Sequence, residues 1–185
     1  VIVKSQTRQG QRLEFDAKAD QVLKDIPIVV LVDGSTASGA EILAGALSEP
    51  GRPRATLVGG RTYGKGSVQE VEPLAPDGSR IKYTRGFYTL SGDRQVANRY
   101  QLSKQGRRDW GLLPDVEVPL KDHQAGEVQK VQRKLQEFST QSADREKGWS
   151  EEKIALLESL VRSDPQMATG LTILKAKILA GGIRL

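Results

Sequence analysis

The sequence predicts an α/β fold over residues 1–120 and a helical appendage over residues 121–185. Three observations carry this. The run Ile28–Val32 is apolar, rich in β-branched residues and closed by Asp33-Gly34, as a buried strand is. Residues 39–48 contain Ala40, Ile42, Leu43, Ala44, Ala46 and Leu47, mostly good helix formers with one side to bury, so a helix follows that strand. Near residue 120 the short extended runs give way to helical spacing, first at Val128, Val131, Leu135 and Phe138.

Taken in order, Val1-Ile2-Val3 and Leu13-Glu14-Phe15 flank a polar turn at Gln9-Gly10-Gln11 and read as a hairpin. Residues 17–26 form a polar connection ending at Pro27. The strand 28–32 and the helix 39–48 follow, and Pro50-Gly51-Arg52-Pro53 breaks the chain. Ala55–Val58 is a short strand closed by Gly59-Gly60. Ser67–Leu74 is extended up to the turn signal Ala75-Pro76-Asp77-Gly78. Arg80–Leu90 alternates at Ile81, Tyr83 and Phe87, with Gly86 a candidate bulge. Residues 94–111 read as polar and irregular, and Asp115–Val118 as a last extended piece. Beyond 120, one helix covers 121–139 and a polar linker covers 140–149. A second helix opens at Ser150, and a third opens at Asp164-Pro165, an N-cap with proline at the first helical position, and stops at Gly181-Gly182.

Composition narrows the function classes. The chain has 185 residues, enough for one domain with a sizeable core or one domain plus a small appendage. Mean hydropathy is −0.44, and no apolar run approaches the length needed to cross a bilayer. The chain opens directly on a strand without a signal-like stretch, so a segment of a longer protein is expected. Net charge is +5, with basic residues at Arg52, Arg54, Arg61, Arg107 and Arg108. Acidic residues are interleaved and aromatics make up only 5%, so these cations read as solvated surface rather than a nucleic-acid footprint. Without cysteine there is no disulfide frame, thiolate nucleophile or Cys-based metal site. The single histidine, His123, lies in a polar segment that nothing in the sequence places near a nucleophile. No metal or cofactor is suggested.

Ser38 stands where the strand turns into the helix. Ser38-Gly39-Ala40-Glu41 has the form of a capping box, in which the hydroxyl only satisfies a helix N–H. The same geometry would set a nucleophile beside free backbone N–H groups and the positive end of a helix, where an oxyanion is stabilised in acyl transfer. The local pattern leaves both readings open.

Lys65 sits in Gly64-Lys65-Gly66. Gly59…Gly64-Lys65 fits the phosphate-loop spacing, but Gly66 replaces the metal-holding Ser or Thr, and the helix that must follow is opposed by Pro73 seven residues on and by Gly, Ser and Val before it. An exposed lysine is the plain reading. A lysine held among backbone and apolar groups loses hydration, which favours the neutral amine, and a neutral amine can take a proton from a serine hydroxyl. Ser-Lys pairs are variants of triad logic that need no histidine. Gln69 is either a surface glutamine on a strand or a group that orients the lysine, and the latter requires the glycines to bend the chain.

The blocks STASGAEILAGAL at 35–47, TYGKGSVQEVEPL at 62–74, IKYTRGFYTLSGDR at 81–94 and GLLPDVEV at 111–118 resemble the C-terminal processing peptidases, also called tail-specific proteases, in order and spacing. The resemblance implies that Ser38 is the nucleophile, Lys65 the general base, Gln69 the residue orienting it, and the Gly39 backbone N–H an oxyanion donor. It also implies a core of strand-strand-helix units similar to the Clp-protease and crotonase fold. Protein or peptide C-terminal tails are the implied substrates, and a periplasmic or otherwise extracytoplasmic location follows from the same resemblance. A homo-oligomer through the C-terminal helices is admitted. The chain departs from the family in lacking the upstream PDZ-like domain and the upstream part of the core, including the glycine-rich stretch that gives a second oxyanion donor. It also has Gly39 where alanine is frequent and a slightly long loop at Pro50–Arg54, and its tail resembles the family chiefly at DPQ, 164–166, and the helix that follows. Two other functions compete: a non-catalytic peptide-binding or assembly module on the same fold, and an acyl-thioester enzyme of the crotonase type that would not need Lys65.

Overall fold

The computed structural model describes residues 2–7, 9–18, 26–51, 53–140 and 150–181, with only part of the side chains in the helix spanning 122–140. Its strands are β1 (Val3–Thr7), β2 (Arg12–Phe15), β3 (Ile28–Val32), β4 (Ala55–Gly59), β5 (Ser67–Pro73), β6 (Arg80–Leu90) and β7 (Val116–Glu117). Its helices are α1 (Gly39–Leu47), α2 (Arg99–Lys104), α3 (Asp122–Thr140), α4 (Glu151–Ser163) and α5 (Pro165–Ala180). Most of the polar connection expected over 17–26, most of the linker over 140–149 and the stop at Gly182 lie outside the described residues.

β3, β4 and β7 form a parallel sheet in that order, with Ile28 opposite Ala55 and Val32 opposite Gly59. A parallel sheet needs cover on both faces. β4 is central, and Ala55, Leu57 and Val58 are buried. α1 covers one face, with Ala44 against Val32 and Leu57 and with Val30 and Leu112 packed alongside. α5 covers the other. A Cβ at Gly170 would lie 2.9 Å from Leu31 Cδ2 and 3.4 Å from Val29 Cγ1, so the bare glycine lets that helix approach. The two-residue period of β3 thus sends Val30 and Val32 toward α1, and Val29 and Leu31 toward α5. Each fully buried Val or Leu contributes about 1.5–3 kcal/mol, which fixes the strands firmly enough to hold the loops at their ends.

The second sheet is antiparallel, in the order β2-β1-β6-β5. Tyr88, Leu90 and Val96 are its buried cluster, packed against Val3, Ile42 and Leu112. Ile42 belongs to α1 and Leu112 touches both clusters, so α1 joins the two sheets into one core. The register between β5 and β6 steps from Val68 opposite Gly86 to Gln69 opposite Thr84, which leaves Arg85 as an extra residue on β6. The irregularity expected at Gly86 therefore falls on its neighbour. Gly86 is pressed against β1, where a Cβ would meet Gln6 O at 2.2 Å.

One stretch differs from the sequence expectation. Residues 94–111 are not irregular throughout, because they contain α2 and the isolated bridges Thr89–Gln95 and Ala97–Gly111. The helical tail starts as its caps indicate. Ser150 Oγ accepts the Lys153 N–H at 3.3 Å, and the buried Asp164 accepts the N–H groups of Gln166 and Met167 at 2.8 and 3.2 Å. Gln166 Nε2 donates to Val118 O at 2.8 Å and ties α5 to the end of β7.

Candidate active site

Two loops leave the C-terminal ends of the adjacent parallel strands β3 and β4, the place where open α/β sheets form their sites. The first runs from Asp33 to Ser38. Asp33 Oδ1 accepts the Ser35 N–H at 2.9 Å, the Ser35 hydroxyl at 2.6 Å and the Thr36 N–H at 3.1 Å, and the Thr36 hydroxyl accepts the Asp33 N–H at 3.0 Å. Burial pushes the Asp33 carboxyl up, but the bonds from Ser35 and then Thr36 outweigh it and hold the group below its usual range. The loop is tied across to the second loop by Tyr63 N–H donating to Thr36 O at 2.9 Å.

Ser38 has φ 56° and ψ −119°. This is backbone that glycine adopts freely and that costs a serine on the order of 1–3 kcal/mol. The turn is sharp because β3 ends and α1 begins within a few residues. A serine held in strained backbone between a strand and a helix is the arrangement that presents a nucleophile beside helix N–H groups. Gly39 supplies the first N–H of α1, one of the four that a helix leaves unpaired by itself. No atom lies within 4 Å of where a Gly39 Cβ would sit, so space does not dictate a glycine there.

Glu41 has far more partners than a cap needs. Its carboxylate, 0% exposed, accepts the Ser38 N–H at 3.0 Å, the Thr62 hydroxyl at 2.5 Å, the Gly64 N–H at 2.8 Å and the Lys65 N–H at 3.0 Å. Through one side chain the serine turn and the lysine loop are therefore joined. Thr62 extends the join, since its hydroxyl accepts the Leu112 N–H at 2.7 Å and its own N–H donates to Leu112 O at 3.0 Å. Tyr88 closes it from β6. Its hydroxyl accepts the Gly66 N–H at 3.2 Å, and burial, followed by the charge of Glu41, holds that hydroxyl up to about 12, so it stays protonated.

Lys65 is half-buried between two glycines in left-handed backbone, Gly64 at φ 77° and Gly66 at φ 57°. A Cβ on Gly64 would lie 2.8 Å from Ala97 O, and one on Gly66 would lie 2.3 Å from Val96 O. Both the conformation and the space require glycine, and the pair bends the chain as an orienting role for Gln69 would need. Gly66 leads into β5 rather than a helix, so the loop is no phosphate loop.

The structure brings the main chains of Ser38 and Lys65 onto one carboxylate. Gln69 lies exposed on β5, opposite Thr84 and just past the bulge. Among the described residues no hydrogen bond links the side chains of Ser38, Lys65 and Gln69 to one another; the bonds reaching this loop run through its backbone. His123 falls within α3. Sequence reasoning missed Thr62, Tyr88 and the wider role of Glu41. A charged residue in the otherwise apolar run Ala40–Leu47 was the available signal, and the capping box absorbed it.

Similar proteins align over this region. The model for Peptidase family S41 matches residues 1–118. A carboxy-terminal-processing protease of Bartonella bacilliformis is 39% identical over 121 residues, 64% of this chain and 25% of that protein. A carboxyl-terminal-processing protease of Picosynechococcus sp. is 40% identical over 118 residues, again 64% of this chain and 25% of the relative. Among solved structures, the photosystem II D1 C-terminal processing protease superposes with a TM-score of 0.51 at 32% identity, over 64% of this chain and 27% of that one. The chain thus spans about a quarter of the length of these relatives. The match takes in both sheets, the serine turn and the lysine loop, and on that ground the chain belongs to peptidase family S41.

Proposed function

We propose that this chain carries the C-terminal part of the catalytic core of a serine endopeptidase that cleaves near the C-termini of proteins. Ser38 Oγ attacks the scissile carbonyl while Lys65, as the free amine, takes its proton. The tetrahedral oxyanion is held by N–H groups at the start of α1, Gly39 first. The ammonium then returns the proton to the leaving amine, and water hydrolyses the acyl-serine with Lys65 again as base. Gln69 orients the amine. Residues 1–120 form the C-terminal part of that core and 121–185 a helical appendage, which supplies any contacts between subunits. The family resemblance favours an extracytoplasmic location.

One observation carries this reading. A serine in strained left-handed backbone, at the head of the helix that follows a parallel strand, shares the buried Glu41 carboxylate with the main chain of Lys65 through its own N–H. A mere cap needs neither the strain nor the second loop. The test is acylation of the full-length protein by a serine-directed phosphonate, with cleavage of an unstructured C-terminal tail assayed beside it. Ser38→Ala and Lys65→Ala should each abolish both while leaving the fold intact. Labelling that persists in both variants would remove this reading, and a wild-type protein that takes no label would mean a non-catalytic module on the same scaffold.

A further inference from the structure

Glu41 takes the N–H groups of the lysine loop; a different segment takes its carbonyls. Asn98 opens α2, and its Oδ1 accepts the Gln101 N–H at 3.1 Å. Its Nδ2 donates to the carbonyl oxygen of Lys65. These two partners fix which way the amide faces. The next residue adds a second grip, with Arg99 N–H donating to Gly64 O at 2.7 Å. The Arg99 guanidinium lies 5.4 Å from the Tyr63 ring centre and 5.2 Å from that of Trp110. The bridge between Ala97 and Gly111 closes the base of this segment.

The peptide units on either side of Lys65 are therefore held from both directions, their N–H groups by Glu41 from α1 and the Tyr88 hydroxyl from β6, their carbonyls by donors from the start of α2. A six-residue helix is marginal by itself, so these contacts hold α2 as much as α2 holds them. A lysine has a long, freely rotating stem, and a proton transfer that depends on its amine is sensitive to where the root of that stem is held. We propose that Asn98 and Arg99 are positioning residues for proton transfer by Lys65. This rests on the reading of Lys65 as the base.

Two variants separate positioning from folding. Asn98→Asp keeps the oxygen that caps α2 but loses the donor to Lys65 O and sets a carboxylate beside the loop. Asn98→Ser keeps a cap but is too short to reach that carbonyl. The other titratable or charged groups packed around the loop, Glu41 from α1, Tyr88 from β6 and Arg99 from α2, stay in place in both. Measured on the full-length protein, each variant should melt close to wild type and lower kcat by about tenfold to a hundredfold with KM unchanged. In Asn98→Asp the acid limb of the kcat/KM profile should also move to higher pH, because a nearby negative charge favours the ammonium. Arg99→Lys, which keeps the charge but not the flat contact with both rings, should lower kcat less than Arg99→Ala does. A wild-type kcat and pH profile in both Asn98 variants would overturn the proposal while leaving Lys65→Ala inactive and the protease reading intact. Full activity in Lys65→Ala would remove both.

Discussion

Two sets of carboxylates in this molecule make similar bonds on very different terms. Glu41 is fully buried and gathers the serine turn, Thr62 and the lysine loop. On the outer ribbon of β5 and β6, Glu70 and Glu72 share the Tyr83 hydroxyl at 3.2 and 2.9 Å, and Glu70 also meets Arg85 at 3.0 Å. The hydrogen bond to Glu72 leads in pushing the Tyr83 hydroxyl up to about 12. Around it Val71, Leu74 and Ile81 are exposed, and every partner can trade its bond for water. A buried acceptor is costly to remove because its donors have nowhere else to turn, whereas an exposed one is replaced by solvent. Burial, more than the number of bonds, separates the organising carboxylate from the decorative ones.

The widest gap is expected from truncating one member of each set. Glu41→Ala strands its buried donors and should destabilise the protein by about 3 kcal/mol or more in urea unfolding, while Glu72→Ala should leave the midpoint unmoved. Equal shifts would break the contrast. A narrower comparison uses glycines. Gly66→Ala forces a Cβ to 2.3 Å from Val96 O in left-handed backbone, whereas Gly78, at φ 86°, has nothing within 4 Å of its would-be Cβ. Thermal melts should place the first variant about 3 kcal/mol below wild type and the second about 1 kcal/mol below, the difference being the clash.

The smallest effect concerns pH. Asp33 is held below its ordinary value of 3.8, so the unfolded chain binds that proton more readily than the folded one. Its contribution is complete above the ordinary value and fades as pH falls through the lowered one. Asp33→Asn should therefore cost stability near neutrality and lose that disadvantage in acid. Parallel melting curves for the two proteins across the whole acid range would contradict this.

The strand β3, Ser38 and α1 were legible because their signals are local: a β-branched run, a turn dipeptide, a cap and a run of helix formers. The lysine loop was legible for a similar reason, since two glycines around one lysine already mark bent backbone. The partners of that loop were not. Glu41 three residues after Ser38 looks the same whether it serves only its own helix or also Thr62, Gly64 and Lys65. α2 carries an Asn cap and Lys104 in its last turn, yet its short, polar sequence gives little periodicity, and its place depends on contacts with Gly64 and Lys65 far away in the chain. The seating of α5 on β3 was hidden as well, because a glycine at 170 in a helix reads as a weakness until Leu31 and Val29 are found against it.

The backbone at Ser38 has a consequence for how such a chain would change over generations. With φ at 56° the position favours a residue without a side chain, so trading the serine for glycine would release strain rather than add it. Mutational drift and thermodynamics then push the same way, and only a use for the hydroxyl resists them. A duplicate copy relieved of its task would shed this residue early and emerge the hardier for it.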